Sequence, residues 1–169
     1  MGEQRERLLL TEYVKARYIQ HKVTFNCPLG PVPEALVFEY GAGKAYKMAR
    51  SMRPEVDALV YDDGTLILIE AKIVRWVDGI SKLPLYKLLL STTPELQPYL
   101  SWRVEMELVI PFKQPTMVAV AHLIGVKIVE FSVPEIDKYV SETLPFYQTA
   151  EYRQKRKDLV ATRKSLGLE

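Results

Sequence analysis

The chain has 169 residues, of which 48% are hydrophobic and 26% are charged, and its formal net charge is +2. These values are typical of a globular protein with one core, and so small a net charge by itself indicates no particular partner. The single cysteine, Cys27, excludes an internal disulfide and fits a reducing compartment, with the thiol packed as a small buried hydrophobe.

Membrane-spanning and secretory segments are not expected. No run of the sequence approaches the roughly 18 apolar residues of a transmembrane helix. The first residues, MGEQRERLLL, lack the long apolar core of a signal peptide. We therefore expect a cytoplasmic protein of prokaryotic or viral origin that acts away from membranes.

The first third of the chain predicts a helix, a strand and a less regular segment. Good helix formers and apolar residues at 3–4 spacing predict a helix over residues 3–20. The alternating stretch KVTFNCPL predicts a short strand that stops at Pro28 and Gly30. Residues 31–52 are consistent with helical turns on either side of the glycine-rich break at residues 41–43.

A β-hairpin is the clearest local prediction. The stretch VDALVY, a turn at residues 62–64, and the stretch TLILIEAKI have the β-branched content and the turn chemistry of two antiparallel strands. A helix is predicted next over residues 78–90, with Pro84 in its first turn or bending it. Two further strands follow, WRVEMELVIPF and MVAVAHLIGVKIVEF, the second extended or divided near Gly125 and carrying His122 as a core histidine.

Residues 134–166 are predicted to be mostly helical, with Pro145 dividing them into two helices. The whole order is helix, three strands, helix, two strands, helix. This order predicts one α/β or α+β domain over residues 1–169, with a mixed central sheet flanked by helices and a C-terminal helical extension at residues 133–169.

Two basic segments suggest contact with a polyanion. Lys44, Lys47, Arg50 and Arg53 lie in a stretch without acids, and they are our candidates for holding a nucleic-acid backbone. The C-terminal region places Tyr147 and Tyr152 among further bases, which would suit DNA. A solvated helix face or a dimer contact explains the C-terminal region equally well.

Charged residues at the open end of the hairpin are the candidate catalytic and metal-binding residues. Strand alternation puts Asp57, Glu70 and Lys72 on one face, with Asp57 opposite Glu70 within a residue or two and Glu55 near the mouth. Two close carboxylates repel unless a cation joins them, and Mg²⁺ takes one or two carboxylates together with water and a phosphate oxygen. Lys72 could then polarise the attacking water or stabilise charge at phosphorus. The alternative is a purely structural ion pair. It is disfavoured because the neighbours of Glu70 in LILIEAKI are nearly all apolar.

The motif resembles the PD-(D/E)XK nuclease superfamily, and most closely its archaeal Holliday-junction resolvases and small phage or repair nucleases. Asp57 matches the motif Asp, Glu70 the Glu and Lys72 the Lys, although the Pro-Asp dipeptide is here Pro54-Glu55. The resemblance implies a restriction-endonuclease-like αβββαβ core, and Mg²⁺ or Mn²⁺ held by Asp57, Glu70 and Ala71. It also implies an acid on the first helix that completes the metal shell; Glu6 and Glu12 are the candidates, and we prefer Glu12.

The function expected from this resemblance is that of a metal-dependent endonuclease that hydrolyses DNA, less often RNA, with Asp57, Glu70, Lys72 and Glu12 as catalytic residues. The alternative is a catalytically inactive subunit of the same fold that binds nucleic acid or serves in assembly. By analogy, a homodimer would suit the cutting of two strands, and a further protein could recruit the chain.

Overall fold

The computed structural model describes residues 2–143 and 150–165. The chain divides into two units, residues 1–131 and residues 132–169, and each is considered by itself. The expectation of one domain with a helical extension from residue 133 stays a prediction. Pro145 and Tyr147 lie outside the described residues, as does the side chain of Tyr152. In the described ranges, no helix is both long enough and apolar enough to cross a membrane.

The first unit contains five α-helices and five strands within its described residues. The helices are α1 (Gly2–Tyr18), α2 (Glu34–Tyr40), α3 (Ala42–Ala49), α4 (Trp76–Leu89) and α5 (Pro115–Leu123). The strands are β1 (Lys22–Pro28), β2 (Glu55–Asp62), β3 (Thr65–Ala71), β4 (Arg103–Ile110) and β5 (Lys127–Glu130). In the second unit, α6 spans Pro134–Thr143 and α7 spans Ala150–Ser165.

The five strands form one mixed sheet in the order β1-β2-β3-β4-β5. The pairs β1–β2 and β2–β3 are antiparallel, while β3–β4 and β4–β5 are parallel. The predicted mixed sheet flanked by helices is thus confirmed. With α2 and α3 inserted between β1 and β2, the elements α1, β1, β2, β3, α4 and β4 follow the expected αβββαβ order.

Helices α1 and α4 lie on opposite faces of the sheet. From α1, the hydroxyls of Tyr13 and Tyr18 donate to Glu107 Oε2 on β4 at 2.6 and 2.9 Å. From α4, Gly79 lies against the side chain of Leu108, the next residue of the same strand. Successive residues of a strand point to opposite faces, so the two helices sandwich the sheet.

The predicted hairpin turn is confirmed. Asp62 pairs with Thr65, and Asp63 and Gly64 between them both have positive φ, at 26° and 84°. A two-residue connection of this kind matches the twist of the flanking strands, and an Asp-Gly pair adopts it at low cost. The turn therefore sets the register that places residues at the far end of the hairpin.

The strand predicted over residues 117–131 is wrong in its first half. Pro115 starts helix α5, and Gly125, with φ of 69°, ends it before the short strand β5. His122 is consequently an exposed residue in the last turn of α5 and not a core histidine. Cys27 is buried as expected, and burial raises the pKa of its thiol to about 11, which keeps it protonated at neutral pH.

Candidate active site

Asp57 and Glu70 meet at the open end of the β2–β3 hairpin. The strand pairing runs from the turn to Ala58 and Ile69, and one step further along the same register Asp57 lies opposite Glu70. At this step Asp57 Oδ2 accepts a hydrogen bond from the backbone N–H of Ala71 at 3.0 Å. The two carboxylates thus occupy the positions that strand alternation predicted.

Lys72 lies among three carboxylates. Its Nζ is 3.1 Å from Glu6 Oε2, 3.6 Å from Glu70 Oε2 and 3.8 Å from Asp57 Oδ2. The lysine follows β3 directly, and its backbone N–H donates to the carbonyl of Val109 on β4 at 2.9 Å. Carboxylates from α1, β2 and β3 therefore converge on one ammonium group whose backbone is held by the sheet.

The surroundings keep Lys72 charged. Burial by itself would lower the pKa of its ammonium group, but the carboxylates of Asp57, Glu70 and Glu6 outweigh burial and raise the pKa above its ordinary value. At neutral pH the side chain can donate hydrogen bonds and oppose negative charge. Because it carries its proton, it is not suited to be a general base.

Glu70 is a buried carboxyl group without a donor. It is 0% exposed, and neither of its oxygens has a hydrogen-bond partner within the described residues. Burial, followed by repulsion from Asp57, raises the pKa of Glu70 to about 7, although Lys72 and Lys82 oppose this rise. A bound cation would relieve both the burial and the repulsion.

Helix α4 packs closely against the site. The Tyr86 hydroxyl donates to the carbonyl of Glu55 at 3.0 Å, and burial together with the nearby site carboxylates raises the pKa of Tyr86 far above its ordinary value. At Gly79 a Cβ atom would come within 2.8 Å of Lys72 Cγ. Glycine here leaves the space through which the stem of Lys72 runs.

Two open clefts, each of about 340 Å³, meet at this cluster. The residues that border both are Glu6, Lys72 and Lys82. The first cleft is also lined by Glu3, Arg7, Leu10, Asn26 and Asp57. The second cleft is also lined by Arg75, Asp78 and Ser81. Solvent, and hence a substrate, has access to Lys72 and Asp57.

The structure places Glu6, and not the preferred Glu12, in contact with Lys72. Glu12 Oε1 forms an exposed ion pair with Lys15 at 2.7 Å on the outer side of α1. Glu6 instead binds Lys72, and its Oε1 accepts a hydrogen bond from the backbone N–H of Ile73 at 3.4 Å. The reason is helical spacing, since Glu6 precedes the buried residues Leu9, Leu10, Tyr13 and Val14 by three, four, seven and eight positions. That spacing was readable from the sequence.

Exchanging each of these two glutamates for glutamine separates their roles. We expect Glu6→Gln to lower the rate of the DNA cleavage expected from the sequence about tenfold or more, because Lys72 loses a charged partner that positions it. Glu12→Gln, a matched change on the same helix, should leave cleavage unchanged. Initial rates on one DNA substrate measure both, and equal rates for the two variants would contradict the placement of Glu6.

Two of the four predicted backbone-binding bases are engaged within the protein. Arg53 is 7% exposed and forms a bidentate pair with Glu95, at 2.7 and 2.8 Å, while also donating to the carbonyl of Pro28. It is therefore a structural residue, and its prediction as a nucleic-acid ligand is wrong. Arg50 pairs with Glu55 at 3.0 Å and donates to the Asn26 carbonyl, yet its side chain remains 55% exposed.

The other two predicted bases, Lys44 and Lys47, are exposed on α3. Lys44 Nζ lies 4.7 Å from the centroid of the Tyr40 ring.

Asn26 and Arg75, which line the two clefts, were not among the predicted residues. Asn26 has a φ of 48°, and Asn is one of the few residue types that tolerate this left-handed conformation.

The donor set fits a divalent cation. Asp57, Glu70 and the backbone oxygen of Ala71 offer the hard oxygen ligands that Mg²⁺ and Mn²⁺ prefer. Among the described residues, no three acid, histidine or cysteine side chains are arranged to hold a metal ion, and Lys72 Nζ lies among the carboxylates. The observation that favours a cation is the pair of buried, unpartnered oxygens of Glu70.

Comparison with known proteins finds one solved structure that aligns with the chain. No protein-family model and no curated protein sequence matches the chain. The crystal structure of a repair endonuclease from Pyrococcus abyssi aligns with it at 14% sequence identity and a TM-score of 0.45. The alignment covers 75% of this chain and 47% of that chain, so this chain spans about half the length of the Pyrococcus protein. The endonuclease activity is that of the Pyrococcus protein.

Proposed function

We propose that the chain is a metal-dependent endonuclease of the PD-(D/E)XK type that hydrolyses phosphodiester bonds in DNA. The observation that carries this proposal is the Lys72 ammonium group among the carboxylates of Glu6, Asp57 and Glu70, at the border of two open clefts. Phosphodiester hydrolysis needs a positively charged donor such as this ammonium group, carboxylates that can bind a metal ion, and access for a polyanion.

A purely structural role for these charges is disfavoured by comparison with other buried charged residues of the chain, which have close polar partners. Glu107 is 0% exposed and receives hydrogen bonds from Tyr13, Tyr18 and Lys127. The buried Arg53 has a bidentate carboxylate partner, although its Nε has no hydrogen-bond partner among the described residues. Glu70 is equally buried and lies 3.6 Å from Lys72, too far for a good hydrogen bond. Leaving this one carboxylate unsatisfied costs stability, and such a cost is typical of a binding site.

Each residue has a distinct task in the proposed reaction. Asp57, Glu70 and the Ala71 carbonyl would hold Mg²⁺ or Mn²⁺. When bound, such an ion supplies a Lewis acid for a phosphate oxygen and lowers the pKa of a coordinated water. Lys72, charged and directional, donates hydrogen bonds to the oxygens on which negative charge grows at phosphorus. Glu6 positions Lys72 through its 3.1 Å contact.

DNA is the proposed substrate because the exposed bases Lys44, Lys47 and Arg50 lie on the segment that leads into the site. Arg50 connects this segment to the site through Glu55 and the Asn26 carbonyl, and Asn26 lines the first cleft with Asp57. Lys and Arg in such positions hold phosphates without reading sequence.

The proposal is tested by incubating the purified protein with linear, branched and single-stranded DNA in the presence of Mg²⁺, Mn²⁺ or a chelator. We expect metal-dependent cleavage that Asp57→Asn abolishes. Glu105→Gln is the matched control, because Glu105 is a carboxylate on β4 that pairs with Arg103 at 2.7 Å. Binding of DNA without cleavage of any substrate under any metal would instead support the inactive, nucleic-acid-binding subunit.

A further inference from the structure

The second cleft lies beyond Lys72 on the side of α4. Its own lining residues are Arg75, Asp78 and Ser81, and it shares Glu6, Lys72 and Lys82 with the first cleft, which holds Asp57. The two clefts therefore adjoin, with Glu6, Lys72 and Lys82 on their common border. A strand whose scissile phosphate lies at Lys72 would extend into the second cleft.

The charges of the second cleft favour an anion. Within the part of the chain that the structure describes, neither Arg75 nor Lys82 forms an ion pair with an acid. Glu6 is engaged by Lys72 and by the backbone of Ile73. Of the described acids that line this cleft, Asp78 is thus the one left to oppose the two basic side chains, and Lys82 also acts on Glu70, whose pKa it lowers. Two bases in one cleft attract a phosphate group.

A cation is a poorer occupant of this cleft. It would have to displace Lys72 from Glu6 and to approach both Arg75 and Lys82. Ser81 offers little to it, because its hydroxyl already donates to the backbone carbonyl of Asp78 at 3.2 Å. Arginine, in contrast, presents a rigid fork of donors that matches two oxygens of one phosphate.

We propose that the second cleft is a phosphate subsite in which Arg75 and Lys82 bind a phosphodiester neighbouring the scissile one on the same strand. This inference rests on the proposed function and deepens it. Arg75 follows Lys72 by three residues, so their Cα atoms are separated by no more than roughly 11 Å.

The first test needs no catalysis. Inorganic phosphate is titrated into the isotope-labelled protein at low salt in the presence of a chelator, and the Arg75 Nε–H and Lys82 signals are followed by NMR. We expect saturable shifts at both side chains. Arg75→Gln should abolish the shift at Lys82, whereas Lys87→Gln should not, because Lys87 lies on α4 but lines a different groove with Leu90 and Tyr99.

The second test uses DNA with the same variants. Arg75→Gln and Lys82→Gln should each weaken DNA binding about tenfold, raise KM more than they lower kcat, and reduce the slope of log K against log salt by about 0.7 to 0.9. Lys87→Gln should leave these quantities unchanged. A spectrum that confirms the folded state accompanies each variant.

The outcomes separate the two proposals. Phosphate shifts at Arg75 and Lys82 without cleavage of any DNA would keep the subsite and overturn the proposed activity. Cleavage with an unchanged KM and salt slope in Arg75→Gln would keep the activity and overturn the subsite. Phosphate shifts that persist unchanged in Arg75→Gln would also overturn the subsite.

Discussion

Lys72→Ala is expected to lower metal-dependent DNA cleavage by about a hundred- to a thousandfold. Removing one preorganised donor that stabilises charge in a transition state typically has an effect of this size. Lys72 has the features of such a donor, because it is 13% exposed, remains protonated and faces both clefts. Single-turnover rates on one DNA substrate measure the loss. Lys15→Ala is the control, since Lys15 is an exposed lysine on α1 that pairs with Glu12.

Metal binding distinguishes this catalytic role from a role in holding the site together. Lys72→Ala leaves the carboxylates of Glu6, Asp57 and Glu70 without their shared ammonium, which increases the negative charge that faces a cation. Calorimetric titration with Mn²⁺ should therefore show affinity that is retained or increased while cleavage is lost. Full activity of Lys72→Ala, or loss of Mn²⁺ binding together with activity, would contradict the assignment.

Glu70→Gln is expected to remove a pH dependence of folding stability. The pKa of Glu70 is raised from 4.5 to about 7 in the folded protein, chiefly by burial. Between these pH values the folded state binds more protons than the unfolded state, so without metal the free energy of unfolding falls as pH rises through this window. The slope from one such group is at most on the order of 1 kcal/mol per pH unit. Urea unfolding in chelator over this range measures it.

The variant carries no titrating group at this position, so its stability should exceed that of the natural sequence at pH 8. Subtracting the two curves cancels the titration of the other residues, and Glu12→Gln should reproduce the natural curve. The same comparison in the presence of Mn²⁺ measures metal binding, because a ligand at a hundred times its Kd stabilises the folded state by about 3 kcal/mol. Equal stabilisation of Glu70→Gln and the natural protein by Mn²⁺ would refute Glu70 as a ligand.

The local sequence was sufficient to predict the hairpin and the charged residues at its open end. Asp63 and Gly64 determine a two-residue turn, the turn sets the register, and the period of two then places Asp57 and Glu70 on one face. These steps use interactions between residues close in the chain. For the same reason the helix α1, the strand β1 and the helical turns after it were predictable to within a few residues.

The segment at residues 115–123 shows where local reasoning failed. Its two valines and its apolar content suggest a strand, and strand preference depends on packing against neighbours as much as on the residue itself. Pro115 at the first helical position and Gly125 in the left-handed conformation were the stronger signals, since they define the start and the end of a helix.

The sequence by itself determined the β2–β3 hairpin and the Asp57, Glu70 and Lys72 group, because both follow from turn chemistry and alternation within that hairpin. Only the tertiary structure decided which distant charges join that group and which do not. Glu6, 66 positions from Lys72 in the chain, reaches the site, whereas Arg53 is bound to Glu95, 42 positions away in the chain. The physical reason is that a charged side chain looks the same in the sequence whether solvent, a partner or a site surrounds it, and packing alone distinguishes these surroundings.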